Sequence, residues 1–179
     1  RLTQTTAGPD FATYGSQDLE PVDLDITRTG YRVIKGLPPK GPQWGSGGSF
    51  NDVILFRFAE ALLIYAEAQA ELGTLTQGDL DMSINKLRDR VGLPHLNMAE
   101  ANANPDPYQE SLYENIEGSN KGVILEIRRE RRVEMVNEGL RWDDLMRWKE
   151  GKKAEKPIKG IYFSELGAHD FNNDGNYDV

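Results

Sequence analysis

FRFAEALLIYAEAQAELG, residues 56–73, is the stretch whose reading decides the fold. Ile54, just upstream, and Phe58, Leu62, Tyr65, Ala68 and Leu72 recur every three or four residues, the period of one helix face. Leu55, Ala59, Leu63, Ala66 and Ala70 widen that face almost around the axis, which predicts a helix packed between neighbours. The pattern predicts a helix over 53–72, with Asn51 and Asp52 as caps and Gly73 as its end. A second helix is predicted from about Asp79, with Leu80, Ile84, Leu87 and Val91 on one side. Gly92 and Pro94 stop it. Two such helices joined by a short turn form an αα-hairpin, the unit of tetratricopeptide-like repeats.

Downstream, Asn97 to Asn120 (NMAEANANPDPYQESLYENIEGSN) reads as a polar insertion. A third helix is expected from about Lys121 to Glu150, bent near Gly139. Leu125, Val133, Val136 and Leu140 mark its buried side, with Ile124 and Ile127 adding to it. Trp142 and Trp148 are expected to pack in the core. Upstream, Thr29 to Lys35 has the β-branched and aromatic content of a short strand, and GLPPKGPQWGSGGS (36–49) reads as a long loop. Ile161-Tyr162-Phe163 is a further candidate strand. No 34-residue period appears twice.

The composition bounds the function. The 179 residues carry 29 acidic and 21 basic side chains, a formal net charge of −8. With a pI near 4.9, the chain lacks the basic footprint of a nucleic-acid binder. Cysteine is absent, which excludes thiol nucleophiles, disulfides and Cys-ligated metal within this sequence. A mean hydropathy of −0.60 accompanies the lack of any apolar run near the roughly 20 residues that span a bilayer. Arg1 opens directly into Leu2-Thr3-Gln4-Thr5 without an apolar leader, and the sequence reads as a piece of a longer protein.

Within the third helix, Arg128, Arg129, Arg131 and Arg132 have two readings. One is an anion site. The other, which the spacing favours, is pairing with Glu residues three or four positions away. His95 and His169 are isolated, without metal-ligand spacing. Asp143 and Asp144 are adjacent, and on a helix neighbours diverge by about 100°, so they cannot flank one glycosidic bond.

The blocks FRFAEALLIYAEAQAELG (56–73), INKLRDRVGLP (84–94) and ILEIRRERRVEMVNEGLRWDDLMRW (124–148) together closely resemble the SusD/RagB family. The family's R-x-A-E-x-L-L-x-x-A-E-A wording falls on Arg57 to Ala68. Its I-N-x-x-R-x-R-x-G-L-P wording falls on Ile84 to Pro94, and E-R-R-x-E-x-x-x-E-G-x-R-W-x-D-L on Glu130 to Leu145. Thr29 to Lys35 is similar to the strand that precedes the first block. The resemblance implies a mainly α fold of tetratricopeptide-like hairpins with long irregular loops and a few short strands. The helical core would span about 51–150, with loop-rich flanks at 1–50 and 151–179, all from the C-terminal half of a longer protein.

It further implies a non-catalytic, surface-exposed lipoprotein of the outer membrane, held by a lipid anchor outside this sequence. Such a protein captures oligosaccharides or polysaccharides and delivers them to a SusC-like TonB-dependent transporter. The matched motifs are scaffold motifs and do not name the sugar. A helical-repeat scaffold that binds only protein is one alternative, and a glycan-active enzyme whose acid pair lies outside this sequence is another.

Sugar recognition needs flat aromatic faces and convergent polar groups. The candidates are Trp44, Tyr108 and Tyr113, with Asn102, Asn104 and Gln109 beside the tyrosines. Trp44 stands in a Gly/Pro loop with few helical neighbours, and the other reading packs it under its own loop. At the end of the chain, Asp170, Asn172, Asp174, Asn176 and Asp178 alternate around Gly175. That order matches the opening of a calcium loop, with Asn176 offering its backbone carbonyl. A plain Asn/Asp/Gly turn is the other reading. No cofactor is otherwise required.

Overall fold

A computed structural model describes residue 35 and residues 54–157, 159–160, 162–163 and 165–168. The chain divides into two units, residues 54–153 and the two flanks together, and the first of these carries the fold described below. Trp44, the calcium-loop residues and all of the Thr29–Lys35 strand except Lys35 lie outside the described residues. So do Asn51 and Asp52.

The decisive stretch forms α1, Phe58–Glu71. It starts later than its sequence predicts: Arg57 is the N-cap, in an extended conformation. The core-facing stripe is also not the expected one. Ala59, Leu63, Ala66 and Ala70 are buried, whereas Ile54, Phe58 and Leu72 are exposed and Tyr65 is partly so. Three alanines in the buried stripe leave room for a neighbour to approach closely. That neighbour is α6, with which α1 makes its most extensive packing.

The second helix is two helices. α2 spans Gln77–Met82 and α3 spans Ile84–Arg90. α2 starts two residues earlier than expected, with Thr76 as its cap. The Thr76 hydroxyl accepts from the Asp79 amide, and the Asp79 carboxylate accepts from the Thr76 amide, a reciprocal capping box. Ser83 breaks the run with φ −123° and ψ −89°, and its hydroxyl donates to the Asp79 carbonyl at 2.5 Å. Leu80, Ile84 and Leu87 are buried as the spacing requires, but Val91 is exposed. Gly92, at φ +69°, ends α3 where the sequence predicts. Its amide donates to the Asp89 carbonyl and that of Leu93 to the Arg88 carbonyl, which closes the last turn. Both α2 and α3 pack on α1 and complete the expected hairpin with a broken second arm.

The segment read as a polar insertion contains α4, Met98–Ala103, and α5, Pro107–Leu112. Asn97 and Asp106 cap them through their side chains, and Pro107 begins α5 where its missing amide costs nothing. Leu96, Tyr113 and Ile116 from this segment enter the core. α4 lies against α6 so closely that a Cβ on Gly122 would stand 1.9 Å from the Ala101 carbonyl oxygen.

α6 spans Lys121–Glu134 and α7 spans Arg141–Arg147, separated by a turn in which Asn137 and Gly139 have φ +61° and +81°. The bend expected near Gly139 is a complete interruption. Val123, Ile124, Leu125 and Ile127 are buried, but Val133, in the last turn of α6, is exposed, and so is Val136, because the helical period stops before it can place it. Trp148 is buried and Trp142 is not. A 3₁₀ turn at Gly151–Glu155 follows. One cluster joins Leu63, Leu80, Ile84, Leu125, Ile127, Tyr113 and Trp148. No strand occurs among the described residues, and Tyr162 and Phe163 are in none.

Candidate functional site

The charged residues between the helices are arranged as a lattice. Arg57 donates to Glu138 from Nε at 2.9 Å and Nη2 at 2.7 Å, and to Glu134 from Nη1 at 2.8 Å. Arg90 reaches the other oxygen of Glu134 at 2.5 Å, and Arg88 pairs with Glu130 at 2.6 Å. Glu67 accepts from Nη1 and Nη2 of Arg147 and, at 2.6 Å, from the Trp148 indole. Arg131 and Asp144 form a buried pair at 2.8 and 2.9 Å. Its hydrogen bonds to the Glu138 and Glu134 carboxylates hold the guanidinium of Arg57 above its ordinary pKa, Glu138 acting most strongly.

This lattice refines the reading of the arginine run. Arg128 pairs with Glu71 at 3.2 Å, Arg129 with Asp106 at 2.6 Å, and Arg131 with Asp144. Pairing within α6 is limited to Arg129 with Glu126, three residues apart, at 3.2 Å. The remaining partners come from other elements, so the pairs dock helices rather than staple one. Arg132 is exposed and takes no part.

Beside the lattice opens a cleft of about 670 Å³. Arg88, His95, Glu100, Asn104, Asp106 and Glu126 line it, with proline edges at 94, 105 and 107. Burial pushes the Glu126 carboxyl up, against the opposing pull of Arg129 and Arg88. Asp106 is held below the usual carboxylate range by the Gln109 amide first and Arg129 second. His95 faces Asp89 at 2.6 Å. The mixture of fixed carboxylates, amides and donors suits a hydroxyl-rich ligand.

The sequence candidates separate here. Asn104 lines the cleft, and Tyr108, on α5 next to its Pro107 edge, is 65% exposed. Asn102 instead accepts from the Val123 amide at 2.9 Å, and Gln109 is buried. Tyr113 is a core residue at 1% exposure rather than a surface platform. Its ring meets Trp148 edge-on at 5.9 Å, its hydroxyl accepts from Arg141 at 3.3 Å, and Lys153 lies 3.7 Å from its centroid. Reasoning from sequence missed Arg88 and His95 as cleft residues. The available signal was the Gly92–Pro94 stop, which places His95 just past an exposed helix end and Arg88 in the last turn before it.

Among the described residues no group of acidic and histidine side chains is arranged to hold a metal ion. No helix there is long and apolar enough to cross a membrane.

Hairpin helices locked by inter-element ion pairs, with polar clefts between them, define a helical scaffold of the tetratricopeptide-like kind. The model of the SusD family matches residues 3–178, and the chain belongs to that family. The SusD-like protein P38 of Formosa agariphila is 33% identical over 111 residues, 62% of this chain and 20% of that relative. The aligned part thus spans about a fifth of the relative's length. No solved structure gives a significant match.

Proposed function

We propose that this chain is part of a non-catalytic receptor that captures oligosaccharides at the cell surface and delivers them to a SusC-like TonB-dependent transporter. The observation that carries the reading is the family match over nearly the whole chain. The site chemistry is compatible with it. Asp144, one of the adjacent acids, is held by arginines, and the cleft offers hydrogen-bonding groups without a nucleophile beside a base. Attachment to the outer membrane by a lipid anchor belongs to the same proposal. Tyr108 and Trp44 are the aromatic contacts we assign to the sugar. Asp170, Asn172, Asp174, Asn176 and Asp178 are assigned to a calcium ion.

Calorimetric titration of the intact protein with neutral and acidic oligosaccharides tests the reading. Binding is expected, and Trp44→Ala and Tyr108→Ala each weaken it about fivefold to tenfold, as loss of one stacking contact does. A protein that retains no glycan of either kind, yet captures a partner protein, would favour the scaffold alternative. Equilibrium dialysis with calcium at millimolar concentration, on a chain extended past Val179, tests the ion. No uptake would remove that assignment.

A further inference from the structure

At the corner between α6 and α7 lies a second cleft, of about 280 Å³. Arg131, Arg132 and Arg141 line it together with Met135, Asn137 and Asp144. Three arginines therefore share the lining with one carboxylate, and that carboxylate is already engaged. Arg141 also donates through Nη2 to the Tyr113 hydroxyl and lies 5.7 Å from the Trp148 ring. Asp144 accepts from Arg131 Nε through both oxygens and from Arg147 Nε at 3.0 Å. Arg131 is 5% exposed, yet its Nη1 is buried and makes no hydrogen bond, and Nη1 of Arg141 is in the same state. Glu60, the other acid near Arg131, is 3.9 Å away and reaches Nη2 rather than Nη1. Arg132 is exposed and has no ion-pair partner among the described residues.

A buried charged donor without an acceptor is strongly unfavourable, so such groups mark a place for one. Two of them beside a surplus cation call for an anion with several acceptor oxygens. Guanidinium forks match the planar carboxylate and the sulfate for that reason. The other clefts carry a smaller cationic surplus. In the larger one Arg88 is matched by Glu130, and Asp106 by Arg129. In the cleft beside Trp148, Arg147 is held by Glu67, and Arg128, whose Nε and Nη1 also lack hydrogen bonds, pairs with Glu71 through Nη2 and lies over the Trp148 and Tyr113 rings at 4.6 and 5.3 Å.

We propose that the α6–α7 cleft is an oxyanion subsite, taking the carboxylate of a uronic acid or the sulfate ester of a sulfated sugar. Met135 and Val136 supply an apolar edge for the adjoining ring, and Asn137 an amide. That the oxyanion is carried on a sugar rests on the receptor function proposed above. Recognition of the oxyanion itself rests on the cleft.

The test titrates the intact protein at low ionic strength with sodium sulfate, a galacturonate oligosaccharide and its neutral galactose counterpart. The acidic sugar is expected to bind at least about tenfold more tightly than the neutral one, and sulfate to compete with it. Arg132→Gln should weaken the acidic ligand roughly tenfold, the effect of losing one charge-assisted hydrogen bond, and leave the neutral one unchanged. Arg132 is the variant of choice because it supports no contact in the fold, and an unchanged unfolding midpoint checks this. Equal affinity for the charged and neutral sugars overturns the proposal, as does an Arg132→Gln protein that binds the acid normally. Neutral-sugar binding without any response to sulfate rejects this subsite and leaves the receptor reading standing. Arg132-dependent sulfate binding with no sugar bound supports the subsite and rejects the receptor reading.

Discussion

Asp144 is the residue on which the α6–α7 corner turns. It is 2% exposed and accepts from Arg131 on the preceding helix and Arg147 one turn further along its own. Two charges removed from water are stabilised only while each has the other. Asp144→Asn keeps the shape and leaves the Arg131 guanidinium buried without its counter-charge. We expect this variant to lose about 3 kcal/mol or more of unfolding free energy, read from urea denaturation. A combined Arg131→Met, Asp144→Leu protein should recover most of that loss, because no uncompensated charge remains. A loss below about 1 kcal/mol in the single variant would mean that the pair is hydrated rather than buried.

Among the elements, α4 and α6 approach closely at Gly122, and glycine permits it. The atoms that a Gly122 side chain would meet are backbone: the Ala101 carbonyl oxygen at 1.9 Å, its carbon at 2.5 Å and the Asn102 Cα at 2.9 Å. No flexible side chain can yield, so Gly122→Ala must move α4. Helix propensity favours the alanine by up to about 1 kcal/mol, whereas forced overpacking typically costs about 1–3 kcal/mol. The net expectation is a loss of about 1–2 kcal/mol. Amide exchange should accelerate at Val123, whose bond to Asn102 Oδ1 spans the contact. Unchanged protection at Val123 would count against the close approach.

The same scale shows what the sequence makes legible. Periodicity locates α1 and α6, but α1 carries two apolar stripes, and spacing cannot tell which faces inward. The stripe of large side chains is the more hydrophobic on paper. The alanine stripe faces the core because packing distance to α6 decides, and that is a tertiary quantity. The break at Ser83 has no Gly or Pro to announce it. α4 and α5 are too short for a period, although Asn97, Asp106 and Pro107 are ordinary start signals. Tyr113 looks like a surface residue in a polar segment, and only the burial of its neighbours Leu112 and Ile116 shows otherwise. The α6–α7 cleft is illegible for a related reason. Its arginines are present in the sequence, but which of them lack a partner depends on where the chain turns.

For the whole molecule, family and function are legible to different degrees. The signature words are the lattice itself: Arg57 with Glu134 and Glu138, Arg88 with Glu130, Glu67 with Arg147. Residues that dock helices identify a scaffold and leave its ligand open. The scaffold has a further physical consequence. Phe58 at 77% and Leu72 at 75% exposure, at the two ends of α1, and Ile54, Leu55 and Phe56 just upstream place large apolar side chains in water. Large apolar side chains left in water promote association. The 179-residue chain in isolation is therefore expected to self-associate with rising concentration and to bind a hydrophobic dye. Phe58→Ser with Leu72→Ser should reduce both without lowering the unfolding midpoint, since neither side chain is buried in the unit. Sedimentation that shows a monomer throughout, with no dye response, would mean that these side chains are covered in solution.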